Sequence, residues 1–281
     1  MRLPIWQKLL RFRLRTLLLA ITAASIWLGF HVHSARLQKR SVASIAKYGG
    51  WVRYDFQFPS GEYFHKSFDR QARSAVPKWL LDGLGVDFFH DVVQVSLNFS
   101  DDSGTRKENH NLSDEALQYL VGFPRLRILL LSDTQASDSS MRHLAQLKRL
   151  ERLYMWDAVN VGDAGVAHLS TLRRLRYIHL TTSQITDKSL EAFARMPMLE
   201  GLCLQFNRFS DQGLKHLSRM DKLENLWVCG REGETNQITD SGLNQLENLQ
   251  KLNELGIQST LVTDAGVEEF LKAVPDCKVT R

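Results

Sequence analysis

The chain has 281 residues, 43% of them apolar and 24% charged, which is enough for a sizeable core and too mixed for a disordered tail. Its formal charge of +5 is unevenly placed: residues 1–53 hold ten Lys or Arg and no Asp or Glu, leaving 26 basic and 31 acidic residues beyond them, a net −5. An acidic globular part repels phosphate backbones, so nucleic acid is excluded as a partner.

From Leu17 to Val32 runs a charge-free stretch (LLLAITAASIWLGFHV) between Arg11, Arg13 and Arg15 on one side and Arg36, Lys39 and Arg40 on the other. As a helix it covers ~24 Å of a ~30 Å hydrocarbon layer, and a snorkelling Arg15 extends it. The pattern reads as an uncleaved membrane anchor over residues 1–34. A cleaved signal peptide is the rival, although His33 makes the Ser34-Ala35 site a poor one, and a buried core helix is the third reading. Five basic residues before the run and three close behind it place the N-terminus in the cytoplasm and the folded part on the other side.

Residues 35–75 follow as a stalk. Leu37, Val42, Ile45 and Ala46 keep helical spacing up to Gly49-Gly50, a C-cap signal. Trp51–Phe58 and Glu62–Phe68 then read as two strands of a hairpin joined at Pro59-Ser60-Gly61.

The remainder is periodic. An Asp recurs at 114, 138, 163, 187, 211, 240 and 264, and an apolar triplet L-x-x-L-x-L recurs with it, as in Leu126-Leu129-Leu131 or Leu199-Leu202-Leu204. A period of about 24 residues means a solenoid. Six full units occupy residues 112–261, with an N-terminal cap repeat at 76–111 carrying Val92, Val95 and Leu97. A C-terminal cap at 262–281 carries Val274, Cys277 and Val279. Eight parallel strands are predicted.

With seven phased copies, residues 92–281 resemble the leucine-rich-repeat family. Units such as ITDSGLNQLENLQKLNELGIQST are similar to the 24-residue repeats of GALA-type, F-box-associated and membrane-anchored bacterial proteins. At the position of the Asn of the most familiar repeats stand Thr134, Ser183, Asn207 and Thr260. The resemblance implies an α/β horseshoe, with strands on the concave face and helices on the convex face, used mostly for protein recognition. Strand alternation agrees, turning Leu129 and Leu131 inward and Ile128, Leu130 and Ser132 to the concave surface.

Six of the seven column Asp residues follow a Ser or Thr and open a helix, which reads as helix-start stabilisation rather than a metal ladder. Two concave columns carry the candidate partner site: Leu130, Tyr154, His179, Cys203, Trp227 and Gly256, beside Ser132, Trp156, Thr181, Gln205, Cys229 and Gln258. From these, with Tyr177 one column over, the expected site is Tyr154, Trp156, Tyr177, His179, Gln205 and Trp227, because Tyr and Trp dominate binding hot spots. The bland alternative is that the rings merely fill the concave floor. Insertions at Ser100–Asn111 and Gly230–Gln237 would supply rim loops.

No P-loop, G-x-G-x-x-G, G-x-S-x-G, H-E-x-x-H or paired C-x-x-C is present, so no cofactor or metal is expected. Three cysteines give no disulfide framework, and the sequons at Asn98 and Asn111 are assigned no role. The reading is a non-catalytic, membrane-tethered recognition or scaffold protein whose partner is a protein, with carbohydrate or peptide left open. Alternatives are a substrate-recognition arm like those of F-box ubiquitin ligases, which lacks its F-box here, and a hydrolase using His179 and Cys203.

Overall fold

The computed structural model describes residues 5–58, 69, 71–97, 114–132, 135–231 and 236–281, and side chains from residue 14 onward. The expected second hairpin strand (Glu62–Phe68), the insertion Ser100–Asn111, both sequons and Thr134 lie outside the described residues, as does the middle of the Gly230–Gln237 insertion, residues 232–235.

The chain opens with α1, a single helix from Ile5 to Lys47. Its 43 residues span about 65 Å. The two segments expected at residues 17–32 and 35–48 are thus one element: only His33 and Ser34 separate them, and the helix runs through both. Its stretch from Leu14 is long and apolar enough to cross a membrane. The helix ends as the sequence indicates: Gly49 takes φ +74°, and Gly49 and Gly50 donate back to the carbonyls of Ala46 and Ile45 at 3.0 Å.

Among the described residues the solenoid has one nine-stranded sheet in strict sequence order. Strands β2 (Val92–Leu97), β3 (Ile128–Ser132), β4 (Arg152–Trp156), β5 (Tyr177–Leu180), β6 (Gly201–Cys203), β7 (Asn225–Trp227), β8 (Glu254–Gly256) and β9 (Lys278–Thr280) are the eight predicted parallel strands. The remaining strand, β1 (Trp51–Tyr54), adds antiparallel to β2 and closes that edge. The strand expected over Trp51–Phe58 therefore stops at Tyr54, where a 3-10 turn begins, and its partner is the cap repeat.

Short helices alternate with the strands: α2 (Lys78–Leu84) and α3 (Val86–Phe89) before β2, and α4 (Asp114–Leu117) before β3. Each later unit has one: α5 (Asp138–Leu144), α6 (Asp163–Leu169), α7 (Asp187–Phe193), α8 (Asp211–Leu217), α9 (Asp240–Asn244) and α10 (Asp264–Ala273). The fold is a leucine-rich-repeat solenoid. Its core is the column of triplet residues, such as Leu153, Ile178, Leu202 and Leu226 in register, packed against helix residues such as Leu190, Phe193 and Leu214. No unit buries this stripe alone, so stacking of neighbours supplies the stability.

Polar groups join the units along one edge. The Asp column does more than open helices, because each carboxylate reaches one repeat onward. Asp163 accepts from the backbone N–H and hydroxyl of Thr186 at 2.9 and 2.7 Å, and Asp211 and Asp240 do the same with Thr239 and Thr263. In α7 to α10 the cap within the helix comes from the preceding hydroxyl, as when Ser210 Oγ accepts from Gln212 N at 3.2 Å. One hydroxyl thus accepts inside its own unit and donates to the unit before it. The last member, Asp264, pairs with Arg281 at the chain end.

Two residues after the Asp, the chain needs a small side chain. A Cβ at Gly165, Gly213, Gly242 or Gly266 would sit 2.1–2.5 Å from the Asp oxygen of the preceding repeat. Where serine stands instead, it becomes a donor: Ser189 Oγ reaches Asp163 at 2.5 Å. Buried amides supplement this ladder at two units. Asn207 accepts from Ser183 N at 2.9 Å and donates to the carbonyls of Leu180 and Leu204, and Asn236, near the end of the second insertion, accepts from Phe209 N and donates to Val228 O.

Candidate functional site

The parallel register fixes which concave side chains are neighbours. Leu130, Tyr154, His179, Cys203, Trp227 and Gly256 form one row across the strands, and Arg152, Tyr177, Gly201 and Asn225 form the next. The first part of the floor is closed: Ile128 and Leu130 point to the concave side as expected but are only 3% and 4% exposed. The accessible floor therefore begins at β4, where side chains become half-buried.

Four of the expected residues form one contact network there. Tyr154 stacks on Trp156 with centroids 5.7 Å apart and planes 13° from parallel, and meets Tyr177 at 5.3 Å. His179 closes the group, 5.0 Å from Trp156 and 6.3 Å from Tyr154. The Arg152 guanidinium lies 5.8 Å from the Tyr177 ring centroid, within cation–π range. These rings hold each other, so little rotamer freedom remains for a partner to remove.

Two glycines seat the rings. A Cβ at Gly201 would lie 2.3 Å from the Tyr177 ring, and one at Gly256 would lie 2.2 Å from Trp227. Each aromatic side chain thus reaches across the next strand, into space that only glycine leaves open. Trp227 is set apart from the other rings by the buried Cys203, its register partner. Gln205 is half-buried, its amide donating to Cys229 Sγ at 3.8 Å. The aromatic columns were legible in the sequence; the role of Gly201 was not, and its only signal was a glycine within a strand, which marks close approach.

His179 Nε2 and Cys203 Sγ are 3.9 Å apart, so the expected juxtaposition exists. Its electrostatics oppose nucleophilic use. Burial pushes the Cys203 thiol up to about 12 and His179 down to about 4. An activated pair needs a thiolate beside an imidazolium, and this pair is held as a neutral thiol and a neutral imidazole. The three cysteines are free thiols.

A second polar relay escaped sequence reasoning. His90 Nδ1 bonds Asp55 at 2.8 Å and its Nε2 bonds Ser74 Oγ at 2.7 Å. The connectivity is that of a nucleophile, base and acid, but acyl transfer also needs N–H donors converging on a substrate oxygen. The N–H of Val76 is directed at Ser74 Oγ itself, at 3.0 Å. The relay ties the loop before α2 to the turn after β1, with Phe56 packed 4.6 Å from the His90 ring.

Among the described residues no group of three or more His, Cys, Asp or Glu is arranged to hold a metal. A groove of about 800 Å³ flanks the second insertion, lined in part by Thr182, Ser183, Phe206, Asn207 and Arg231. Thr182 and Phe206 take positive φ there, +52° and +62°, where the chain turns off the concave strands.

No family model matches the chain, and no curated protein matches it. Among solved structures it is similar to internalin C2 of Listeria monocytogenes, at 22% identity and a TM-score of 0.48, covering 75% of this chain and 76% of that one. A further internalin of that organism has 19% identity and a TM-score of 0.39 over 61% of this chain and 58% of its own. A leucine-rich-repeat protein of Leptospira interrogans has 19% identity and a TM-score of 0.42 over 58% of this chain and 45% of its own.

Proposed function

We propose that this chain is a membrane-tethered, non-catalytic recognition or scaffold protein that binds a protein partner on the concave floor from β4 to β7. The observation that carries the reading is the contiguous, mutually stacked network of Tyr154, Trp156, Tyr177 and His179, half-exposed and braced by Arg152 and Gly201. Preformed aromatic surface of this kind supplies large contact area at low entropic cost and dominates interface energetics. Gln205 and Trp227 extend the site toward the C-terminal units. In this reading α1 crosses the membrane with the N-terminus cytoplasmic.

The test is capture of the partner by crosslinking of the intact chain in its native membrane, followed by affinity measurement with variants. Trp156→Ala and Trp227→Ala should each weaken binding by ~2 kcal/mol or more. Unchanged affinity in both, with the fold intact, would reject the concave site.

A further inference from the structure

The segment between β1 and β2 leaves large apolar side chains uncovered. On α2, Trp79 is 72% exposed and Leu84 is 55% exposed, on a part of the chain with no role in the concave floor. Their position relative to α1 explains them.

Gln38 of α1 holds this segment at one level. Its amide donates to His90 O at 2.8 Å and Asp87 Oδ1 at 3.1 Å, and its carbonyl accepts from Val92 N at 3.0 Å. About two turns nearer the N-terminus, His31 Nε2 donates to the Phe88 carbonyl at 2.7 Å while its ring meets the Phe88 ring edge-on at 4.8 Å. Trp27 stacks on that same His31 at 5.1 Å. Followed backwards from Val92, the chain therefore climbs along α1 toward the charge-free run, which ends at Val32. Gly85 then turns it into α2.

The surface at this level is amphipathic in the way a membrane boundary is. Trp27 and Phe30 of α1 are exposed, and so are Trp79 and Leu84 of α2, the helix that Gly85 alone separates from α3 and its Phe88 on His31. Exposed Arg36, Lys39 and Arg40 follow on α1, and exposed Arg73 and Lys78 stand before and at the start of α2, with Asp82 the acidic exception. Trp belongs at the headgroup level, and basic side chains beside it attract anionic lipid.

We propose that α2 is an interfacial foot: it rests on the lipid surface that α1 crosses, with Trp79 and Leu84 inserted at headgroup depth and Arg73 and Lys78 among anionic headgroups. This rests on reading α1 as a membrane span. A lone helical tether leaves the solenoid free to rotate about its axis, and a second point of contact removes that freedom.

The test uses the full chain in vesicles of phosphatidylcholine and phosphatidylglycerol. Nitroxide labels are placed singly through Leu18→Cys, Trp79→Cys, Leu84→Cys and Lys188→Cys, the native thiols being buried. Relative accessibility to oxygen and to a water-soluble nickel complex reads depth. The expected result is Leu18 in hydrocarbon, Trp79 and Leu84 at headgroup depth, and Lys188 in water. Leu18 in hydrocarbon with Trp79 and Leu84 as aqueous as Lys188 would overturn the foot alone. An aqueous Leu18 would overturn the span, and the foot with it. Brominated lipid gives a readout that keeps Trp79 in place: the fraction of tryptophan emission quenched should fall in Trp79→Phe, and an unchanged fraction would contradict the proposal.

Discussion

The carboxylate of Asp187 accepts from both the backbone N–H and the hydroxyl of Ser210, at 2.9 and 2.5 Å, joining the helix start of one repeat to that of the next. Asp187→Ala removes a charged acceptor from two donors at once and leaves a backbone N–H without it. A loss of about 1–3 kcal/mol is expected in denaturant unfolding. Metal analysis of parent and variant should agree, and stoichiometric metal lost on substitution would contradict the structural role.

The glycine two residues past four of the Asp residues gives a sharper test. Gly213 sits in a helix, where Gly→Ala ordinarily stabilises by up to ~1 kcal/mol. A Cβ there would lie 2.2 Å from the Asp187 carboxylate. Gly213→Ala should therefore destabilise, and Gly213→Ser should cost less than alanine although it is larger, since Ser189 already donates to Asp163 from the equivalent place. Thermal unfolding of the two variants decides it, and the reverse order would contradict the ladder.

Acid should weaken the same ladder. Burial alone would raise the Asp163 carboxyl, but hydrogen bonds from Ser189 and Thr186 outweigh it and hold it below its ordinary 3.8. Asp114 is held low in the same way by Ser137 and Ser139. A carboxyl with a depressed folded pKa adds stability that is complete above its unfolded pKa and lost as pH falls through the folded value. The denaturation midpoint should drop between about pH 5 and pH 3, and the drop should be shallower in Asp163→Asn. An identical acid limb in parent and variant would count against this assignment.

How much of this was legible follows from range. The period, the eight parallel strands and the concave columns could be read because Leu129, Leu153 and Ile178 repeat the same local pattern. The Asp column could be read too, but its partners could not, since Ser210 lies 23 residues beyond Asp187. The recurring Ser or Thr before six of the seven Asp residues, and a Gly, Ser or Ala two after each, was the available signal. The aromatic columns were visible while their mutual stacking was not, because stacking depends on side-chain rotamers and on the space Gly201 leaves. The closure of the floor at Ile128 and Leu130 had a hint in composition: both are aliphatic where the later units place Arg152, Tyr154, Tyr177 and His179.

Within the site, the stacked pair predicts coupling. Tyr154→Ala and Trp156→Ala should be non-additive in partner affinity, by about 0.5–1.5 kcal/mol in a double-mutant cycle. Trp227→Ala, outside the network, should combine additively with Trp156→Ala, and strong coupling between those two would contradict the separation described.

The thiol at the centre of the floor should be inert. With Cys203 pushed up to about 12 by burial, alkylation at pH 8 should be slow in the folded chain and fast after unfolding. Rapid, stoichiometric modification of native Cys203 would reopen a nucleophilic role.

The most direct test of concave recognition is site-specific photocrosslinking of the intact chain in its native membrane. A photoreactive residue at Gln205, on the floor, is compared with one at Lys215, on the exposed convex helix α8. The account predicts one discrete adduct from Gln205, lost when Trp156→Ala is combined with it, and none from Lys215. The same adduct from Lys215, with none from Gln205, would place the partner on the convex face and contradict it.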